Sequence, residues 1–374
     1  MEDEQSTVYG RLLERIMTIA LSANGAQSTI FEIVNRTRRR HPRAAVFGKV
    51  NDILRFVLLL ARDIQLVAAF HRPVRRDHVM NEQSADAVWH VDHRCTNCDV
   101  ARQLAPELIA EVDGRSSVVR QPRTDAEEEA LYAAAFACHT RSIRHGARGP
   151  DPALDPFPLR LSEHVHLCGH NSRHTAGANS YLLRRPAGNL MMIDTPRWSS
   201  ALAAKYAALG PITDVLLTHR DHAAHGREYA DRFGARLWIH EGDLAAAPDA
   251  DGILRGTEPI EIADGVTAHP LPGHTEGSVL YLADETYCFS GDSFYWSRTD
   301  GDIAVAESVT WYSITELAAS LTRTAPRVRF EWLLPGHGDR KRLPADEFAR
   351  RMHDLAGRTG RLSPRPVDFT ALRW

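Results

Sequence analysis

Five short apolar runs in the second half of the chain each lead into a turn that carries histidine or aspartate. In order, Asp194 closes LMMIDTP, and His219, Asp221, His222 and His225 follow the run in VLLTHRDHAAHG. His274 lies in the glycine-flanked turn LPGHTEGSV, Asp292 in TYCFSGDSF and His337 in WLLPGHGD. A rigid sheet can aim polar residues placed just after its strands into one shared cleft. Imidazoles with carboxylates form the donor set expected for zinc, iron or manganese. The pattern therefore demands a fold whose strand ends meet along one edge.

The runs alternate with helical patterns. Residues 180–183, 190–193, 214–217, 237–239, 279–282 and 332–334 read as strands, and 199–208 and 226–233 as helices. Strands alternating with helices imply an α/β class in which helices cover the sheets. A chain of 374 residues exceeds the usual single domain, so several regions are expected. Residues 1–82 form a helical N-terminal region, with apolar residues at helical spacing over 8–21 and 50–70. Asp52, Arg55, Arg62 and Asp63 interrupt the second stretch, which makes it a buried or docking helix rather than a membrane helix. Residues 83–147 carry a cysteine pair and a helix-prone stretch. The linker GPDPALDPFP follows, then the strand-and-helix region 156–355 and a tail, 356–374.

Bulk composition narrows the partners. A formal net charge of −3 argues against a nucleic-acid surface spread over the protein. The basic run at 38–40 with Arg43 reads as solvated surface. Hydrophobic content of 43% and charged content of 25% are ordinary for a soluble protein. No apolar run reaches the roughly 18 residues of a membrane span, and MEDEQSTVYG lacks the basic-then-apolar order of a signal peptide. The expectation is a cytoplasmic protein that contacts neither membrane nor nucleic acid.

Taken together, IDTP, the His219 cluster after LLT, PGHTEGSV, SGDS and PGHG resemble the ordered motifs of the metallo-β-lactamase fold superfamily. GANSYLL, IDTPRW, LTHRD, RFGARLWIHEGD and FEWLLPGHG resemble a branch in which a ferredoxin-like segment precedes the hydrolase domain. The resemblance implies a four-layer αββα sandwich with one or two zinc or iron ions at one edge of its sheets. A metal-bound hydroxide would then attack an electrophilic carbonyl or phosphoryl centre. By the same resemblance Asp292 bridges the metals, His274 completes one and His337 the other, and Asp194 supports a ligand histidine from behind.

The second motif departs from the superfamily's usual H-x-H-x-D-H. In one alignment Asp221 stands where the second histidine would be, and His225 with Gly226 replaces the later D-H pair. In the other, Asp221 and His222 are the D-H pair and His219 is the second histidine. His219, His274, Asp292 and His337 remain under both. One of Asp221 and His222 is expected to bind metal, because neighbouring loop side chains point in different directions. Catalysis is expected of Asp221, His222 and Asp292. Tyr295, Trp296, Trp311 and Tyr312 flank the Asp292 segment, either as an aromatic wall beside the cleft or as packing.

Five cysteines are too few for a disulfide scaffold, and a C-x-x-C pair in a reducing compartment points to metal or redox chemistry. HVDHRCTNCDVARQLAPELI with AAFACHTRSI resembles a single-cluster ferredoxin, in which Cys95, Cys98 and Cys138 match three of the four ligand positions. Ala101 occupies the third position in chain order, and His139 replaces the usual proline. The segment could hold an iron–sulfur cluster with an open iron, a zinc completed by His93, Asp99 or His139, or an empty relic pocket. Cys168 and Cys288 read as buried thiols. Three functions follow, in order of preference. The first is a metal-dependent hydrolase acting on a small ester, thioester or lactone. The second is a non-haem diiron oxidoreductase, supplied with electrons by a redox partner through the ferredoxin-like segment. The third is a degenerate, non-catalytic binding protein.

Overall fold

The computed structural model describes residues 89–146 and 149–368, and the expectations for 8–21, 38–43 and 50–70 lie outside the described residues. The cysteine segment comes first. Strand β1 (Trp89–Val91) pairs antiparallel with β4 (Ile143–His145), and β2 (Ile109–Val112) forms a hairpin with β3 (Arg115–Val118). Helix α1 (Val100–Leu104) follows the C-x-x-C turn directly. Helix α2 (Asp125–Ala137) is capped by Thr124, whose hydroxyl accepts from the Glu127 amide, and Asp125, Glu127 and Glu128 favour its positive end. Trp89, Leu108, Ile109, Leu131 and Ile143 give this small α+β unit its own core.

Period-two alternation along single strands then assigns four layers. A seven-stranded sheet runs β11-β10-β9-β8-β7-β6-β5: Gly252–Leu254, Arg236–His240, Ile212–Leu216, Leu190–Ile193, Tyr181–Arg184, Val165–Leu167 and Leu159–Arg160. A six-stranded sheet runs β12-β13-β14-β15-β18-β19: Ile260–Ala263, Val266–Pro270, Val279–Ala283, Tyr287–Gly291, Trp332–Pro335 and Lys341–Arg342. Tyr181, Leu183, Met191 and Ile193 face Val279, Tyr281, Ala283 and Phe289 in the core between the sheets. The alternate residues Leu182, Leu190 and Met192 pack outward against α3 (Ser200–Ala207) and α4 (Gly226–Phe233). Leu280, Leu282, Cys288 and Leu333 pack outward against α5 (Ile314–Thr324) and α6 (Ala345–Thr359). The result is the expected helix–sheet–sheet–helix sandwich. A small hairpin, β16 (Tyr295–Ser297) with β17 (Asp302–Ala304), projects from the six-stranded sheet.

The domain edge differs from expectation. Position 355 falls inside α6, which continues to Thr359 and buries Ala356 and Thr359, because its apolar face still has core to cover. Among the described residues no helix is long and apolar enough to cross a membrane.

His269 in β13 gives the fold a testable pH response. Burial disfavours its charged form and the Arg327 guanidinium adds to this, lowering its pKa from 6.5 to about 4. The unfolded chain therefore takes up the proton first. This contribution to stability is fully present above about pH 6.5 and is lost as pH falls toward about 4. Urea unfolding at a series of pH values should show a shallower slope in this window for His269→Gln than for wild type. Identical slopes would contradict the assignment.

Candidate metal centre

The two sheets present their strand ends along one edge. Asp194 follows β8, His219 and its neighbours follow β9, Asp292 follows β15 and His337 follows β18. Tyrosine hydroxyls lock the edge: Tyr281 donates to the Leu217 carbonyl at 2.9 Å and Tyr181 to the Pro335 carbonyl at 2.7 Å. The Val279 amide donates to the Thr218 carbonyl at 2.8 Å, so the loop that carries His219 is tied to the opposite sheet. Glycine is required at 336, where a Cβ would lie 2.3 Å from His222 Cε1 and 2.7 Å from Asp292 Oδ1.

Two groups of ligand atoms result, each within 4.8 Å of mutual contact: His219, Asp221 and His274, and His219, His222 and Asp292. Asp292 Oδ2 is the common centre. It lies 3.7 Å from His219 Nε2, 3.5 Å from His222 Nε2, 3.8 Å from His274 Nε2 and 3.0 Å from His337 Nδ1. Asp221 Oδ2 stands 3.8 Å from His219 Nε2 and 3.6 Å from His274 Nε2. Asp221 and His222 point to different members of the cluster, one to each group. Residues Arg220–His222 form a 3-10 turn, tight enough to bring the Asp221 carboxylate toward His274 and the His222 ring toward Asp292.

His225 is in neither group. It caps α4 from a non-helical conformation, and its ring is engaged elsewhere, with Ser172 Oγ at 3.4 Å, Glu228 Oε1 at 3.6 Å and the His174 ring at 5.7 Å. Asp194 lies behind the cluster. Its Oδ2 accepts from His222 Nδ1 at 2.9 Å, and its carboxylate also accepts from the Thr218 amide and hydroxyl. With Nδ1 committed to a carboxylate, Nε2 is the His222 atom left to face Asp292 and the cluster.

The donor set fits a cation. His219 Nε2, His222 Nε2 and His274 Nε2 are buried with no hydrogen-bond partner, a costly arrangement unless something binds there. Burial opposes charge on His222, but the carboxylates of Asp292 and Asp194 outweigh it and hold its pKa well above the ordinary value. At His219 burial wins, helped by repulsion from His222, and the pKa falls well below. Asp292 stays ionised despite its burial because His337 and His222 hold its pKa well below the carboxylate range. The pocket thus favours positive charge beside Asp292, whether a proton or a metal.

Two further groups were not singled out in the sequence. Thr218 joins Asp194 to the His219 ring, its hydroxyl 3.0 Å from Nδ1. Asp243, buried at the end of the RFGARLWIHEGD stretch, accepts from the Arg220 amide at 2.9 Å and from the Thr275 hydroxyl at 2.6 Å. It clamps the two ligand loops together; an acidic residue closing that stretch was its only signal. The aromatic residues divide into two kinds. Tyr295 is buried, and Trp296 is held between Lys341 and Arg351, whose cations lie 4.6 and 5.2 Å from its ring centroid. Trp311 and Tyr312 are exposed, and their amides both donate to the His274 carbonyl.

Cys95, Cys98 and Cys138 line one pocket with Ala101, Thr96, Ser116, Thr140 and Ser142. The Cys98 thiol is pushed up to about 12 by burial and by the neighbouring Cys138 and Cys95. Cys138 Sγ lies 3.3 Å from both Thr140 Oγ1 and Ser142 Oγ. Asp99 is committed to the Arg102 and Arg298 guanidiniums, His139 Nε2 meets the Thr96 hydroxyl at 3.3 Å, and His93 is exposed.

The model for the 4Fe-4S single cluster domain of ferredoxin I matches residues 91–145, and that for the metallo-β-lactamase superfamily matches residues 175–337. The chain is 34% identical over 111 residues to a hydroxyacylglutathione hydrolase of Acidiphilium cryptum, covering 29% of this chain and 46% of that protein. It is 36% identical over 149 residues to one of Anaeromyxobacter dehalogenans, covering 36% and 56%. The chain thus spans about half the length of these curated relatives. A solved metallo-β-lactamase from Hirschia baltica is 16% identical, covering 53% of this chain and 96% of that one, with a TM-score of 0.38.

Two substitutions test the placement of Asp194 and His225. Asp194→Asn should weaken metal binding about 10–100-fold by freeing the His222 ring. His225→Ala should leave metal content as in wild type. Metal analysis after dialysis against a chelator series reads both, and the reverse pattern would contradict the geometry.

Proposed function

With residues 175–337 forming a metallo-β-lactamase superfamily domain, we propose that the protein is a metal-dependent hydrolase of a small ester, thioester or lactone. The observation that carries this reading is the convergence of three unpartnered Nε2 atoms, from His219, His222 and His274, on the largely buried Asp292 carboxylate. Two metals would be held by His219, Asp221 and His274 on one side and by His222 and His337 on the other, with Asp292 between them. A bound divalent ion lowers the pKa of water and polarises the acyl carbonyl. The side chain of Asp221 is 43% exposed, so its carboxylate can accept a hydrogen bond from an incoming water and orient it. Trp311 and Tyr312, anchored to the His274 turn, offer apolar surface to the acyl or leaving group. The relatives' name, hydroxyacylglutathione hydrolase, supports a thioester within this class.

One observation favours a second reading. His219, His274 and Asp221 form a two-histidine, one-carboxylate set, the arrangement of non-haem iron oxygenases. The three-cysteine pocket, which would hold an iron–sulfur cluster with one iron not bound by cysteine, could bring electrons to such a site.

Protein purified without air, analysed for metals and assayed against a panel of thioesters, esters and lactones, separates the two. The expected result is a bound divalent metal, with hydrolysis that a chelator abolishes and added metal restores. His274→Ala should lower kcat/KM by more than the roughly 10–100-fold typical of losing a partner behind a ligand. Oxygen consumption with iron and no hydrolysis would replace this reading with the second.

A further inference from the structure

We propose that the cysteine segment is a positioning element of the metal centre, acting through an ion-pair strut, Asp99–Arg298–Asp339, that holds the loop carrying His337. The inference rests on the metal-centre reading above and adds a role for a different region of the chain.

Arg298 projects from the β16–β17 hairpin and grips a carboxylate on each side. Its Nε and Nη2 donate to Asp339 at 3.0 and 2.6 Å, and its Nη1 and Nη2 donate to Asp99 at 3.2 and 3.3 Å. Asp339 is two residues beyond His337, and Asp99 directly follows Cys98 and lines the cysteine pocket. A second link runs alongside. Gln103 of α1 accepts from Asn179 Nδ2 at 3.1 Å and from Arg340 Nη1 at 3.4 Å, and the Asn179 amide donates to the Gly336 carbonyl at 2.8 Å. The cysteine segment therefore reaches the His337 loop on both sides of that residue, through Asn179 before it and through Arg298 and the Gln103–Arg340 contact after it.

Physical chemistry gives this strut more weight than a surface pair. The Asp99 side chain is 1% exposed and also accepts from Arg102 Nε and Gln103 Nε2. Removing a partner from a buried carboxylate leaves charge that the site must relieve by moving, and the flanking turn is the part free to move. Arginine suits the task because its planar fork can bind each carboxylate through two N–H groups, whereas lysine meets both through a single nitrogen. Residues 335 and 336 are fixed by backbone bonds to the sandwich. On the far side of His337 the paired Trp296–Asp339 bridge, this strut and the Gln103–Arg340 contact hold the loop before β19 pairs back onto β18.

The experiment is cobalt(II) titration of the full chain against a competing chelator, followed by visible absorption, with circular dichroism as the fold check. Arg298→Gln and Asp99→Asn should each weaken the second cobalt equivalent about 10–100-fold and alter its absorption, while the first equivalent binds as in wild type. Arg298→Lys should recover part of the affinity. Gln103→Ala, a milder change, should shift the second equivalent in the same direction. Arg185→Gln breaks a comparable ion pair with Asp284 at another edge and should leave both equivalents unchanged. Wild-type binding and spectra in Arg298→Gln, Asp99→Asn and Gln103→Ala would overturn the strut while leaving the metal centre standing. A wild-type chain that binds no cobalt would overturn both.

Discussion

Asp292 is a carboxylate at the meeting point of four imidazoles, within 3.8 Å of a ring nitrogen from each. Charge desolvated to this degree persists only where it is balanced and where its neighbours are held in place. Much of the surrounding structure serves that need. Asp194 fixes the His222 ring, Thr218 joins Asp194 to His219, and Asp243 ties the Arg220 and Thr275 loops together. The cross-sheet bonds from Tyr181 and Tyr281 keep the strand ends from separating. The sandwich can thus be understood as the frame that keeps four rings and two carboxylates at fixed spacing.

The layers were legible because each inner strand alternates. Residues 181 and 183 against 182, and 279, 281 and 283 against 280 and 282, commit opposite faces to different cores. The ordered histidine and aspartate turns were legible because each strand end repeats one grammar, an apolar run followed by a polar residue in a turn. The Asp221–His222 geometry was not, since a 3-10 turn and an open loop look alike in four residues of sequence. His225 misled because histidine next to a ligand motif carries no mark of its helix-capping position. The edge at 355 was misplaced because a polar tail and the last turns of an amphipathic helix share a composition.

Contacts between distant parts of the chain were beyond any local pattern. Asp99 and Arg298 are 199 positions apart, and nothing near either predicts the other. The pairing changes how the cysteine segment can be understood. Its third ligand position is an alanine, yet its turn, helix α1 and pocket remain built, with Asp99 and Gln103 engaged on the neighbouring sandwich. A segment with that second attachment has a structural reason to persist whatever its cysteines hold.

On the proposed function, these side chains surround a metal at one edge of the sandwich. Anomalous diffraction at the absorption edge of the bound metal, from crystals of protein purified without air, tests it directly. A peak is expected about 2.0–2.2 Å from His219 Nε2, His274 Nε2 and an Asp221 oxygen, with any second peak between His222, Asp292 and His337. Anomalous density confined to the pocket of Cys95, Cys98 and Cys138, with none beside Asp292, would contradict it.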